Sequence, residues 1–153
     1  ELIIDIKDNF PEQIIDFHDK SPARIFIEID PVYLTEISTY VFRVLKARFN
    51  IATGIDTRSH FEILYHFSIE DLMLLISLRV KLDKQQPVVQ SIAKLIPGAN
   101  WIEREIHELL GIDFQDHPDM RKLLLSEDWP EGVYPLRRDY KEWDSQAIRD
   151  RGV

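Results

Sequence analysis

The final stretch of the chain constrains the fold more than any other part of the sequence. Residues 112–153 contain three prolines, Pro118, Pro130 and Pro135, so they cannot form one continuous helix. Disordered tails are poor in large apolar side chains because they never bury them. This stretch is rich in them: Phe114, Leu123, Leu124, Leu125, Trp129, Tyr134, Leu136, Tyr140 and Trp143. We therefore predict an extended tail that docks, either on its own domain or along a partner.

The composition is typical of a single globular domain and excludes several classes of function. The 153 residues are 44% hydrophobic and 30% charged. The formal net charge of −8 argues against nucleic acid and anionic membranes as ligands, because both bind basic surfaces. There is no cysteine, which excludes disulfides, thiol catalysis and thiolate ligation of an iron–sulfur cluster by this chain. No apolar run reaches about eighteen residues, so we expect any membrane contact to run through other subunits.

Apolar periodicity predicts the elements of residues 1–111. The predicted helices span 11–19, 31–49, 87–96 and 100–110, the last capped by Asn100 and ended by Gly111. The predicted strands span 23–29, 51–55, 60–67 and 72–82. A strand–helix–strand unit followed by antiparallel strands predicts an α/β (α+β) fold, with a four-stranded mixed sheet covered by helices on one face. We expect residues 1–111 to form this domain and residues 112–153 to form an extended, proline-containing tail that docks on a partner.

The spacing of histidines and carboxylates does not favour a metal or catalytic site. His107-Glu108 begins like the zinc-protease motif, but Gly111 stands where the second histidine is needed. Glu103 and His107 share a helical face and could form half of a metal site, although an ion pair or hydrogen bond is the favoured interpretation. Glu105 and Glu108 could act as a general acid and base. An acidic helix surface that is solvated or pairs with a partner is the favoured interpretation. No phosphate-binding loop is present, so we predict no catalytic, metal or cofactor-binding residue.

The arginines of the tail favour a role in binding a partner. Arg121, Arg137 and Arg138 lie among aromatic and leucine residues. Arginine beside buried aromatics is typical of interface hot spots, because its planar group pairs with carboxylates while its stem packs. The alternative is a clamp on the acidic surface of the chain's own domain. The partner interpretation is the one favoured by the composition of the tail.

Multi-residue motifs between Trp101 and Tyr140 resemble a known protein family. They are Glu103-Arg104-Glu105, Glu108-Leu109-Leu110-Gly111, His117-Pro118-Asp119 with Arg121, Asp128-Trp129, and Pro135-Leu136-Arg137-Arg138-Asp139. Together they resemble the signature of the thirty-kilodalton subunit family of respiratory complex I. The resemblance implies a cofactor-free subunit that packs on a large catalytic subunit, while neighbouring subunits hold the iron–sulfur clusters. It also implies a peripheral place on the cytoplasmic face of a membrane complex that couples electron transfer to ion translocation.

The family has two branches, and the closing motif favours one of them. Members in NADH:quinone oxidoreductases, whose partner subunits hold flavin and bind quinone, commonly read Gly-His-Pro-Leu-Arg there. This sequence reads Val133-Tyr134-Pro135-Leu136-Arg137 and ends soon afterwards, at Val153. Both features are more similar to the membrane-bound, energy-converting nickel–iron hydrogenases of the formate hydrogenlyase type. A stand-alone metal-binding domain built on Glu103 and His107 is the competing hypothesis from a different class.

Overall fold

The computed structural model describes residues 2–141, which form a five-stranded mixed sheet with helices on one face. The strands are β1 (Ile14–Ser21), β2 (Arg24–Ile29), β3 (Arg48–Asp56), β4 (His60–Ile69) and β5 (Leu74–Asp83). Their order across the sheet is β1-β2-β5-β4-β3. A separate parallel pair joins β6 (Val88–Gln90) to β7 (Asp113–Gln115). The helices are α1 (Leu2–Asn9), α2 (Leu34–Thr39) and α3 (Asn100–Leu110).

Strand directions confirm the mixed sheet and its antiparallel meander. Strands β3, β4 and β5 pair antiparallel in succession, and β2 pairs parallel with β5. The fifth strand is a correction to the predicted count of four. Residues 14–21, most of which were predicted to be helical, instead pair antiparallel with β2, where Phe17 faces Ile27. The open edge of β2 supplies backbone partners to this segment, and that tertiary pairing overrides the local helix signal.

Two further predicted helices differ from the structure. The helix expected over 31–49 is divided into a 3₁₀ turn (Pro31–Tyr33), α2 and a π turn (Tyr40–Val44), and Phe49 belongs to β3. Its start is as predicted, since the Asp30 carboxylate accepts from the Val32 N–H at 3.0 Å. The helix expected over 87–96 is wrong, because Val88–Gln90 pairs with β7 across more than twenty residues of chain.

One face of the sheet carries the hydrophobic core. Alternate residues of β2, β4 and β5 point to this face and meet the apolar sides of α2 and α3. The central members are Ile27, Ile63, Tyr65, Ile76, Leu78, Leu34, Ile37, Ile106 and Leu110. The other face is polar: Glu28 accepts from Lys81 at 2.9 Å, and Glu62 lies 2.7 Å from His60. Among residues 2–141, no helix is long and apolar enough to cross a bilayer.

A glycine on β3 allows α3 to lie close to the sheet. A Cβ placed on Gly54 would be 2.7 Å from Leu110 Cδ1 and 3.1 Å from Ile106 Cγ2. Both of those side chains are buried, so they have little room to move away. The position of α3, which carries the first signature motifs of the sequence, therefore depends on the missing side chain at residue 54.

We expect Gly54→Ala to lower the free energy of unfolding by about 1–3 kcal/mol, because the added methyl group overpacks the contact with α3. Urea denaturation of the isolated chain measures the effect. Gly98→Ala is the matched control, since its Cβ would meet only Phe49, at 3.9 Å. Equal stabilities of the two variants would contradict this account of the β3–α3 contact.

Candidate functional site

The site is built on α3 and on the residues that follow it. Gly111 ends the helix in the left-handed conformation, with φ 72°, and its N–H donates to the His107 carbonyl at 2.8 Å. A Cβ on Gly111 would lie 2.5 Å from both Arg137 and Tyr134. Glycine is therefore required twice, for the conformation and for the close approach of the returning tail. The predicted cap is wrong: Asn100 lies inside the helix, and its carbonyl accepts from His117 Nε2 at 3.1 Å.

One face of α3 holds the tail through backbone groups. Arg104 donates from Nε to the Arg121 carbonyl and from Nη2 to the Lys122 carbonyl, both at 2.9 Å. One turn later, the Glu108 carboxylate accepts from the N–H groups of Leu123, at 3.1 Å, and Leu124, at 2.7 Å. Arg104 and Glu108 are both buried. We call these two side chains and their four bonds the α3 clamp.

The α3 clamp gives residues 121–124 the backbone hydrogen bonds that a helix or strand would otherwise provide. Residues 121–124 belong to no helix or strand, so their backbone groups need other hydrogen-bond partners wherever they are shielded from water. Charged side chains provide such bonds at roughly twice the strength of neutral ones. The signature residues Arg104 and Glu108 thus act first on this chain's own tail and fix its path.

A second face of α3 buries Glu103, whose side chain is 0% exposed. The carboxylate accepts from the Ser91 hydroxyl and, at 2.8 Å, from the Ile92 N–H. His117 Nε2 lies 3.7 Å from Oε2 of Glu103, and the imidazole ring is also buried. The His117 Nδ1 atom accepts from the Asp119 N–H at 3.0 Å, which leaves the other ring nitrogen to donate to the Asn100 carbonyl.

Burial shifts the pKa values of Glu103 and His117 in opposite directions. It raises the pKa of Glu103 to about 7, against the lowering effect of the bonds from Ser91 and Ile92. Burial lowers the pKa of His117, although its bond to the Asn100 carbonyl opposes the shift. The structure therefore favours a neutral imidazole beside a carboxyl group that titrates near neutral pH.

Arg137 closes the tail over the end of α3. Its Nε donates to the Leu110 carbonyl at 2.7 Å, and its guanidinium lies over the rings of Tyr134 and Phe61, at 4.3 and 5.2 Å from their centroids. The neighbouring Leu136 N–H donates to the Leu109 carbonyl at 3.1 Å. A cation is favourable at this position because the last carbonyls of a helix carry partial negative charge. This arginine is therefore held inside the chain, whereas Arg138 beside it is exposed.

Other predicted site residues lie on the outer surface of the tail. The Arg121 guanidinium pairs with Asp119 at 2.6 Å and holds the pKa of that carboxyl well below its usual range, while the arginine side chain stays 82% exposed. Trp129 donates to the Val133 carbonyl at 2.8 Å and stacks on Tyr140. The exposed members of the predicted set all lie in the tail: Pro118, Arg121, Leu136, Arg138 and Asp139. Pro135 in the tail and Glu105 on α3 are half-buried.

In the structure, the residue pairs named in the alternative metal and acid–base interpretations have separate hydrogen-bond partners. Glu103 turns to Ser91 and His117, whereas His107 Nδ1 lies 2.9 Å from the Ile112 carbonyl. Within residues 2–141, no three histidine, aspartate or glutamate side chains are grouped as metal ligands. Glu108 is committed to the tail backbone, so it does not act with Glu105 as a carboxylate pair.

Two residues of the site have no signal in the sequence. Ser91 is a single serine in a segment predicted to be helical, and only the β6–β7 pairing brings it to Glu103. Asp56, at the end of β3, accepts from the Arg138 N–H at 2.8 Å across 82 residues. Asp119 differs from both, because it belongs to a signature motif and its spacing two residues after His117 indicates a local turn.

Comparisons with known proteins give one family profile and several relatives. A profile described as "Respiratory-chain NADH dehydrogenase, 30 Kd subunit" matches residues 27–146. A subunit of the F(420)H(2) dehydrogenase of Methanosarcina mazei is 31% identical, over 97% of this chain and 96% of that protein. "Formate hydrogenlyase subunit 5" of Escherichia coli is 28% identical over 90% of this chain, and the match covers 25% of that protein's length.

A solved structure shows the same fold at low sequence identity. The match is to a chain of the membrane-bound sulfane sulfur reductase (MBS), described as an archaeal respiratory membrane complex. Its TM-score is 0.77 at 17% identity, over 93% of this chain and 85% of the other. At that identity, the likeness concerns the arrangement of helices and strands.

Glu108→Gln tests the α3 clamp. We expect the free energy of unfolding to fall by about 1.5–3 kcal/mol, because one of the two tail N–H groups then faces an amide NH₂ instead of a carboxylate oxygen. Trypsin cleavage after Arg121 and Lys122 should quicken as the loop loosens. The matched control is Glu105→Gln on the same helix, which should leave both measurements unchanged; similar effects for the two variants would contradict the clamp.

Glu103→Gln tests the buried carboxyl group through pH. The folded pKa of about 7 lies above the usual 4.5, so the folded chain binds the extra proton between these values. Stability from this group is present below pH 4.5 and is lost as the pH rises through 7. Relative to the glutamine variant, the wild-type chain should lose about 3 kcal/mol over that window.

Urea unfolding of both proteins from about pH 4.5 to about pH 8 measures this difference. The comparison cancels the contribution of His117, whose lowered pKa is common to both proteins. Parallel stability curves would show that Glu103 titrates normally and would overturn the assignment.

Proposed function

Because this chain belongs to the family of the 30 kDa subunit of respiratory-chain NADH dehydrogenase, we propose that it is a non-catalytic scaffold subunit of a complex I-related membrane oxidoreductase. The observation that carries the proposal is the α3 clamp. The two signature stretches, 103–111 and 117–139, form one connected structure, in which inward residues fix the backbone. Outward residues of the same stretches are then presented in fixed positions to other subunits.

In the proposed complex, the redox groups are bound by the partner subunits. The sequence offers no cysteine thiolate for an iron–sulfur cluster. The large catalytic subunit and the iron–sulfur subunits would hold the clusters, together with a nickel–iron centre or with flavin and quinone. This chain would fix these subunits relative to one another, on the cytoplasmic face, with membrane contact made by other subunits.

The outer surface of the tail suits this role. Arg121 and Arg138 are exposed cations on a chain with a net charge of −8, and both stand on backbone that is anchored to the domain. Pre-ordered side chains lose less conformational entropy when they bind a partner. Residues 142–153, including Trp143, lie outside the described residues and remain part of the predicted tail.

Within the family, we favour the energy-converting hydrogenase branch. The absence of histidine before Pro135 and the similarity to a formate hydrogenlyase subunit support it. The alternative, the corresponding subunit of an NADH:quinone oxidoreductase, is supported by the description of the family. A complex that oxidises F420H₂-type donors is a third form of the same role, supported by a match over nearly the full length of both proteins.

Purification of the native complex through this chain, from its own membranes, tests the proposal. We expect mass spectrometry to find a large subunit and iron–sulfur subunits in equal amounts with this chain. Nickel without flavin would support the hydrogenase branch, and flavin without nickel would support a dehydrogenase. Recovery of the chain without any redox subunit would overturn the scaffold role.

The double variant Arg121→Glu, Arg138→Glu is expected to reduce recovery of the large subunit by about tenfold or more, the size of effect expected when interface hot spots are lost. Arg24→Glu, Arg43→Glu is the control, since these exposed arginines lie outside the signature stretches. Unchanged recovery with the first double variant would argue against a binding role for the tail. Arg137 is unsuitable for this test because its removal would disturb the end of α3 itself.

A further inference from the structure

An apolar groove runs between the edge strand β3 and helix α3. Two hollows, of about 350 and 240 Å³, share Ile51, Ile102 and Glu105 in their linings, so they are adjacent along this groove. One end is bounded by Trp101 and Leu124 and the other by Leu136. The groove thus combines residues from the sheet, the signature helix and the tail.

Several large apolar side chains around the groove are exposed to water, which is unfavourable for an isolated domain. Trp101, Leu124 and Leu136 are 69%, 59% and 61% exposed. Covering such surface is favourable because it removes apolar area from water. Exposed apolar groups that converge in this way mark interaction sites, whereas scattered ones are ordinary.

The walls of the groove are held in place by the contacts that order the tail. The Leu124 N–H is bound by Glu108, and the Leu136 N–H is bound by the Leu109 carbonyl. These bonds fix two exposed leucines at opposite ends of the groove. The same network that folds the tail therefore shapes the groove.

Among the described residues, Glu105 is the one charged side chain that lines either hollow. It is half-buried, and it forms no ion pair with any residue in the described part of the chain. Its neighbours on the helix, Glu103 and Glu108, both have partners within the chain. A ligand that covers the groove must therefore supply one cation, because a carboxylate left unpaired in an interface is costly.

The edge of the sheet favours an extended occupant. Strand β3 is the last strand of the sheet, and no strand among residues 2–141 pairs with its outer side. An extended segment laid along such an edge can bond to the free backbone groups while its side chains fill the pockets beside it. In a symmetric contact between two copies, a two-fold axis through the groove would bring Glu105 close to its own copy, and repulsion between the two carboxylates disfavours that arrangement.

We propose that this groove binds an extended segment of the large partner subunit, in which one lysine or arginine lies between apolar side chains. The basic residue pairs with Glu105, and the apolar residues fill the hollows beside Trp101 and Leu136. This inference rests on the proposed scaffold function and adds the surface and the partner chemistry to it. It gives Glu105 a role that its neighbours on α3 do not share.

A photoreactive residue in the native complex identifies the occupant. With p-benzoyl-phenylalanine in place of Trp101, irradiation of the purified complex should link this chain to a large-subunit peptide that contains a lysine or arginine among apolar residues. A link to residues 142–153 of this chain, a link to a second copy, or no link in an intact complex would overturn the proposal.

Charge reversal then tests Glu105. In the complex, Glu105→Lys should lower the recovered large subunit by about tenfold or more, and reversal of the linked basic residue should restore it. The control Glu36→Lys reverses an exposed charge on α2 and should have no effect on recovery. Thermal unfolding of the isolated variants shows that each still folds; equal recovery with both variants would overturn the pairing.

The scaffold function and the groove assignment fail in different ways. If the wild-type chain is purified without redox subunits, the scaffold function is wrong and the groove assignment falls with it. If the redox subunits are recovered but neither the cross-link nor the Glu105→Lys effect is seen, the groove assignment alone is wrong.

Discussion

The structure of this chain depends on how one helix satisfies the backbone of a segment that has no regular structure. Residues 121–124 lack helix or strand partners, and Arg104 and Glu108 bind two of their carbonyls and two of their N–H groups. Without these bonds, the desolvated backbone would have to return to water. The placement of Leu124 beside the groove follows from this anchoring, and Arg137 provides a second anchor at the end of α3.

Four charged residues within one and a half turns of α3 have three different environments. Glu103 is fully buried beside Ser91 and His117, whereas Arg104 and Glu108 are buried against the tail. Glu105 alone among these four faces the apolar groove. A helix that looks like an acidic, solvated surface in the sequence is thus enclosed on most of its circumference. The residues that resemble the family signature in this region largely build the fold of this chain, which fits the proposed scaffold role.

Adjacent residues of the motif at 135–139 point in opposite directions, so one motif can serve the fold and also the binding that we propose. Arg137 points to the Leu110 carbonyl and the ring of Tyr134, while Arg138 is exposed and contributes its backbone N–H to Asp56. Leu136 is likewise exposed although its N–H is bound to the helix. Two successive turns, closed by the bonds from the Arg137 N–H to the Tyr134 carbonyl and from the Tyr140 N–H to the Arg137 carbonyl, send neighbouring side chains in different directions, so one short stretch can hold the chain and still present a surface.

Motif spacing, period-two apolar patterns and the special conformations of glycine were enough to predict the family, the meander of β3 to β5 and the stop at Gly111. The same patterns failed at β1 and β6, where local helix signals were overridden by pairing with β2 and β7. Three features came from the folded chain alone: Arg137 is held inside it, Ser91 meets Glu103, and Glu105 faces a groove. Each of these depends on contacts between segments far apart in the chain, and such long-range pairings leave no periodic signal in the local sequence.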